Sequence, residues 1–530
     1  MAADYVNPTK VILTNVVCDN AASNIAALQI LGAKLSYHDN LKPHLDVTNA
    51  CGEKIYVVLD TSHLIKLARN TLGDLQLLFT GDGRPVMWNL VRELEKLQGD
   101  EGLHLGNRIR KEHVQYQKKK MRVYLATQVL SDSVADAIEF CDKDIKLQQF
   151  ADSSGTCEYL RVFNLAFDIL DSKVPFMKHN KMPLKLTNKD QWMTHFKTVE
   201  DFILSLHLTN PTAQRSDEPE TKRSKKDTRL ICSQRKKGFL GFLVNLKTYR
   251  DIFSLYVEEK KFLNYILGHK LSQDHLELMF GTIRSSLGKN NNPTVIQFNS
   301  ALKKVLLGAT HTGLWENCIS QDETTLLLPT STSENLSLFS EKYDLNSGNG
   351  DQWLNSPIDL YLAYLQSRTL FKENVLNYVA GFIQRQIRNK EQCVHCRLFM
   401  SNIKDVHACS LLDRKNRGGL TLPSVQLEKV VQISEAIFSN LLKTEGNPFK
   451  VRKIVEKISQ KTCKEVFDNH PTLLSQLDDH CEVGSHRNLM IKKIVGCFIS
   501  MRCKHFAKEH NQQNVKVRVQ LSKLILFKNQ

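Results

Sequence analysis

Asp19, the pair Asp274 and Glu277, and the cysteines at 393 and 396 are side chains of this 530-residue sequence whose types and spacing could do chemistry. Asp19 follows the apolar, β-branched run KVILTNVVC at 10–18. It stands where a strand buried on both faces would end and a helix begin, the edge at which α/β sheets gather ligands and carboxylates. An Asp at that position more often caps the helix. Asp274 and Glu277 lie three residues apart in a helix-patterned stretch, so both carboxylates share one face, with Leu276 and Phe280 expected to turn to the core. Alone, such a pair reads as a solvated face. Two-metal phosphoryl transfer, however, needs carboxylates from distant segments to hold divalent ions roughly 3.5–4 Å apart, and hard oxygen ligands suit Mg2+. An Asp at a strand end and a Glu on a later helix fit part of such a site. Cys393 and Cys396, with His407 and Cys409 downstream, offer three thiolates and an imidazole, enough for one tetrahedral Zn2+. The plainer reading is a set of buried free thiols.

The elements that must position these groups are legible in the pattern. A second apolar run, IYVVL at 55–59, ends at Asp60 and leads into a helical stretch at 62–72 closed by Gly73, much as the first leads through Asp19 into 20–31 closed by Gly32. Two strand-Asp-helix units imply a parallel α/β core, so the fold class expected is α/β plus all-α. From 75 to 208 the chain turns mainly helical, with apolar residues at three- and four-residue spacing over 121–140 and 159–169. Residues 212–237 lack apolar periodicity and are dense in charge, which predicts a solvated basic linker, with 222–226 as the sharper alternative of a nuclear-localisation patch. Helical periodicity resumes at 238 and runs through 253–267, 274–287 and 293–307. Residues 320–356 are rich in Ser, Thr, Asn and Gly and predict a loop, after which 357–530 reads as helical. The domains expected are therefore 1–74, 75–237, 238–310, a flexible 311–356, and 357–530.

Lys and Arg number 72 against 56 Asp and Glu, a formal charge of +16 that points to a polyanionic partner such as nucleic acid. Lys492, Lys493, Arg502, Lys504, Lys508, Lys516, Arg518 and Lys523 could line a phosphate groove or form a solvated helical face. The 13 cysteines are odd in number and scattered, which suits reduced thiols of an intracellular protein. No apolar run approaches the roughly 20 residues of a membrane span, and no apolar h-region follows Met1, so no membrane partner is expected and the basic charge favours the nucleus.

Several segments, in this order, resemble the P-element-type DNA transposases, and among them the vertebrate members that carry an N-terminal THAP zinc finger. They are VVCDNAASN at 16–24, LDTSHLIKLARN at 59–70, MRVYLATQVLS at 121–131, FNLAFDILDSK at 163–173, LSQDHLELMFGTIR at 271–284 and NNPTVIQF at 291–298. YVAGF at 378–382, CVHC at 393–396, RGGLTLPS at 417–424 and HRNLMIKKIVGC at 486–497 extend the likeness toward the C-terminus. The resemblance implies an RNase H-like core, here partial, interrupted by a largely helical GTP-binding insertion domain and followed by a helical C-terminal region. It implies Mg2+-dependent DNA cleavage and strand transfer, GTP as an assembly cofactor, and assembly as a homo-oligomer on DNA. Asp19 matches the second acidic residue of the family's catalytic triad and Glu277 the third, both as Mg2+ ligands. For the nucleotide, Val123 and Ser131 match the contacting segment, Asp168 the residue that reads guanine, and Asp274 an aspartate near the nucleotide; a basic residue near Arg108 or Lys111 would stand for the family's nucleotide-binding Lys. Asp171 stands where the family has Asn and cannot donate from an amide, so altered guanine selectivity is expected. His63 is expected to be structural. The family's zinc finger and first catalytic Asp have no counterpart in this sequence, and the expectation is a fragment, a shortened isoform or a decayed transposase with impaired catalysis; the alternative is a domesticated, non-catalytic nuclear DNA-binding protein.

Overall fold

The computed structural model describes residues 12–528 apart from 37–39, 50, 178, 213–227, 289, 291, 309–368, 392, 401–409, 452 and 478–485. His407, Cys409, the basic run at 222–226 and the loop expected at 311–356 lie outside the described residues. The chain divides into two compact units, one of 1–95, 107–142 and 146–328, the other of 96–106, 143–145 and 329–530.

In the first unit, a three-stranded sheet has β1 (Asn15–Cys18) parallel to β3 (Lys54–Leu59), with β2 (His44–Thr48) antiparallel on the other side of β3. The β1–β3 register pairs Val16 with Val57 and Cys18 with Leu59, so both strands end together and deliver Asp19 and Asp60 to the same edge. The parallel pair matches the two strand-Asp-helix units of the sequence. Helices α1 (Ala22–Ile30) and α2 (Thr61–Leu75) follow the two strands. β3 is central and buried from Ile55 to Leu59, as its unbroken apolar run requires.

The insertion between α2 and the later helices is mainly helical: α3 (Val123–Val129), α4 (Asp132–Glu139), α5 (Ser154–Leu170) and α6 (Lys189–Ser205). A small hairpin, β4 (Leu77–Phe79) with β5 (Pro85–Met87), interrupts the helical stretch expected from 75 onward. Buried Phe163 of α5, its ring packed on that of buried Tyr159, meets Phe239 and Phe242 of α7 (Lys237–Phe253) in edge contacts. α7 also returns to the sheet. Fully buried Asn245 donates to Leu59 O (2.6 Å) and accepts from Leu59 N (2.8 Å), while Thr248 donates to Val57 O (2.7 Å). The helix expected at 253–267 is shorter: a π-helical turn closes it at Glu259, and Lys261 adopts a positive φ. A hairpin of α8 (Asp274–Ser286) and α9 (Val295–Gly308) ends the described part of this unit, with the Phe280 and Phe298 rings 6.2 Å apart. Leu276, expected in the core, is 48% exposed.

The elements described in the second unit are all helices. Its core gathers Leu376 and Ile383 of α10 (Leu370–Lys390), Val430, Ile437 and Leu441 of α12 (Val425–Glu445), Ile458 of α13 (Ile454–Asn469) and Ile494 and Phe498 of α14 (His486–Lys528). The short α11 (Val394–Phe399) lies between α10 and α12 in the chain. Gly381 of the YVAGF segment lets α10 approach the Thr421 carbonyl, which a Cβ would overlap. Buried Gln384 donates to Met400 O and accepts from Ser424 N, both at 2.8 Å, tying the end of α11 to the start of α12. Two of the basic residues that could have faced phosphate are spent internally: Lys493 pairs with Glu391 (2.7 Å) and buried Arg502 with Glu435 (2.9 Å). Lys492 and Lys504 are exposed.

Candidate functional site

The C-terminal edge of the parallel strands is the first place where polar groups collect. Asp19 Oδ1 accepts from Ala21 N (3.1 Å) and Asn24 Nδ2 (2.6 Å), so its carboxylate holds the first turn of α1. Asp60 caps α2 by accepting from His63 N (2.8 Å), and its other oxygen accepts from Gln273 N (3.4 Å), the residue before α8. The strand end and the helix carrying Asp274 and Glu277 are thereby joined. Burial raises the Asp60 carboxyl above its ordinary value, the two backbone donors oppose that, and the Asp274 charge adds to it. Burial lowers the His63 imidazole, and Lys66 adds to that. The half-buried Cys18 thiol is pushed up to about 11 by burial, with the Asp19 charge adding to it.

Where the insertion meets α8, a tighter group forms. Asp168 and Asp171 sit at the last turn and cap of α5, and His269 lies on the turn that leads to α8. His269 Nδ1 lies 3.3 Å from Asp171 Oδ1 and 3.4 Å from Asp274 Oδ2, and all three residues are partly sheltered from solvent. Four hydrogen bonds hold this junction. Buried Tyr249 donates to or shares with the carbonyls of Leu170 and Gly268, each at 3.2 Å; Gly268 N donates to Ser172 Oγ (3.0 Å); His269 N donates to Ser172 O (3.1 Å). Gly268 is required by space, since a Cβ there would overlap the Leu170 carbonyl.

Asp168 lies beside this group, 3.7 Å from Lys181 and accepting from Asn164 Nδ2 (3.3 Å). Burial pushes its carboxyl up to about 6; Lys181 and Asn164 lower it, and the charges of Asp132 and Asp171 raise it. Asp132 opens α4 directly after its N-cap Ser131, so the Ser131 turn is within electrostatic reach of Asp168. Ser131 donates to Gln128 O (3.0 Å), and its side chain does not accept from the first turn of α4. Val123 opens α3 and is half-buried.

Of the residues singled out by sequence, the structure thus brings together Asp171 and Asp274, with Asp168 adjacent. Glu277 is exposed on α8. Among the described residues, the groups of three or more donors that could share an ion are Asp171, His269 and Asp274 in the first unit and Cys393, Cys396 and His486 in the second; neither contains Asp19 or Glu277. Sequence reading missed Asp60 as a tether, and it missed His269 and His486, whose partners lie far away in the chain. The carboxylate oxygens of Asp171 and Asp274 suit Mg2+, whereas among the described residues Asp19 and Glu277 share no common donor set.

Family models match three stretches: a TNP-like GTP-binding insertion domain at 62–183, a TNP-like RNase H C-terminal domain at 269–303, and the C-terminal domain of DNA transposase THAP9 at 366–508. Human DNA transposase THAP9 is 25% identical over 525 residues, covering 94% of this chain and 54% of its own length. The Transposable element P transposase of Drosophila melanogaster is 26% identical over 413 residues, covering 76% of this chain and 48% of its own. The chain spans about half the length of the curated relatives it matches. Among solved structures, the Drosophila P element transposase strand transfer complex aligns with a TM-score of 0.47 at 23% identity, over 58% of this chain and 63% of that one.

Proposed function

We infer that this chain, a relative of the P-element-type transposases, binds a guanine nucleotide with Mg2+ at Asp168, Asp171 and Asp274, and that the nucleotide sets the position of α8 and its Glu277 for work on DNA. The observation that carries this reading is the meeting, within 3.4 Å of His269 Nδ1, of an aspartate from the GTP-binding insertion domain and one from the RNase H C-terminal segment. A ligand seated there touches both segments, so its binding energy favours one arrangement of α8 over others.

Asp168 accepts the two N–H groups on one edge of guanine, which a carboxylate matches and adenine does not offer. Asp171 and Asp274 supply hard oxygens, and bound Mg2+ would neutralise the phosphates. His269 orients both carboxylates. Asp171 has no amide N–H to give, so it adds nothing to the reading of the base.

DNA is the macromolecular partner in this reading, engaged by a chain of net charge +16 in the nucleus, as a homo-oligomer. Cleavage and strand transfer with Asp19 and Glu277 as Mg2+ ligands is the catalytic form of the proposal. A second reading, a nucleotide-gated DNA-binding protein without cleavage, is favoured by one specific observation: Asp19 is engaged as acceptor for the first turn of α1, and Glu277 does not converge on it. The two separate in one experiment, binding and nicking of a short duplex by the purified chain with Mg2+ and GTP over a salt series. Nicking abolished by Asp19→Ala and by Glu277→Ala supports the catalytic form; salt-dependent binding without nicking supports the second; nicking indifferent to both substitutions rejects the catalytic assignment.

A further inference from the structure

In the second unit, two sulfurs and a ring nitrogen converge from elements about 90 residues apart. Cys396, in the first turn of α11, lies with its Sγ 3.3 Å from Nδ1 of His486, the first residue of α14. Cys393, immediately before α11, brings its sulfur into the same group, and the donor atoms of all three residues lie within 4.8 Å of one another. We propose that Cys393, Cys396 and His486 bind one Zn2+ that staples the CxxC turn to the start of α14. Tetrahedral zinc with legs of about 2.3 Å to sulfur and about 2.0–2.1 Å to nitrogen separates its ligand atoms by roughly 3.5–3.8 Å, within reach of this geometry.

The surroundings suit a metal better than the rival uses of the same atoms. Cys396 is buried in the apolar core of the unit, with its Sγ against the ring of His486. Two thiolates offset the charge of Zn2+, so the bound group is neutral where an isolated thiolate would be costly. The turn itself is fixed before any metal arrives: Arg397 N donates to Cys393 O (3.0 Å), Met400 N to Cys396 O (3.1 Å), and Gln384 holds Met400 O. Glu391 accepts from Cys393 N (3.2 Å) and pairs with Lys493, which fixes the approach of α14 beside His486. Such outer contacts keep ligands oriented. The sequence spacing that suggested His407 and Cys409 carried no sign of His486, which stands 90 residues beyond Cys396.

The test is zinc content of the full chain purified without chelator, read by plasma mass spectrometry, with Cys393→Ser, Cys396→Ser and His486→Ala. Cys463→Ser is the control, a buried cysteine bonded to Asn488 (3.1 Å) and outside the group. About one zinc per chain is expected in the parent and in the control, falling to nearly none in the three variants. Zinc retained in full by His486→Ala, or no stoichiometric zinc in the parent, overturns the proposal. Should the variants misfold, zinc-edge X-ray absorption of the parent decides: two or more sulfurs with at least one imidazole nitrogen support it, and a shell lacking sulfur or imidazole overturns it.

Discussion

Acidifying the medium from about pH 7.5 to about pH 5 is expected to weaken binding of a guanine nucleotide about tenfold. The magnitude comes from Asp168. Its carboxyl is pushed up to about 6, chiefly by burial, with Asp132 and Asp171 adding and Lys181, 3.7 Å away, opposing. Only the ionised form accepts both guanine N–H groups, so the competent fraction falls to roughly one in eleven at pH 5, a loss of about 1.4 kcal/mol. The same shift has a definite sign for stability. A carboxyl raised in the folded state favours folding at low pH, and that contribution is lost as pH rises through about 6. At neutral pH the ligand-free chain thus carries a charged, half-buried Asp168 at a cost of about 3 kcal/mol, which a ligand donating two hydrogen bonds relieves. The assay is anisotropy of a fluorescent guanine nucleotide between pH 5 and 8 at constant ionic strength, with saturating Mg2+ to keep the phosphates ionised. Lys181→Met should move the midpoint upward. An affinity flat across this range, or a midpoint near the ordinary carboxyl value, refutes the reasoning.

Other outcomes follow from single contacts. Asn245→Leu leaves both backbone groups of Leu59 without their partner, and a loss of about 2–5 kcal/mol is expected in urea unfolding. Gly268→Ala drives a Cβ into the Leu170 carbonyl, so it should lower the thermal midpoint and weaken nucleotide binding together; a midpoint shift with unchanged nucleotide affinity would disconnect that junction from the site. Arg502→Met strands buried Glu435, with about 3–5 kcal/mol lost in thermal or urea unfolding, yet the slope of DNA affinity against salt should stay unchanged because Arg502 faces protein and not phosphate.

What could be read from the sequence was what local pattern encodes. β3 declares itself by an apolar run and Asp60 by its place ahead of a helix, because strand burial and capping are decided within a few residues. β2, HLDVT, escaped notice because an edge strand that is mostly exposed carries no apolar run, and its pairing with β3 is irregular. The β4–β5 strands are three residues each, too short for a period, although the TGDGR between them is turn chemistry. Asp168 and Asp171, and the place of Asp274 beside the nucleotide, came from likeness to a family, not from spacing. His269 reaches Asp171 across 98 residues and His486 reaches Cys396 across 90, and such meetings exist only once helices have packed. Basic residues show the same limit: composition counts Lys493 and Arg502 toward a positive face, but the fold pairs them with Glu391 and Glu435.

The central claim is that Asp168 reads guanine at a site shared by the insertion and α8, and one substitution tests it directly. Asp168→Asn replaces one acceptor oxygen by an amide N–H, which mismatches the two N–H groups of guanine and matches the N–H and carbonyl of xanthine. Titration of parent and variant with Mg-GTP and Mg-XTP should show the variant losing GTP by more than about tenfold while gaining XTP. GTP affinity unchanged within roughly twofold, with no gain for XTP, would contradict the account.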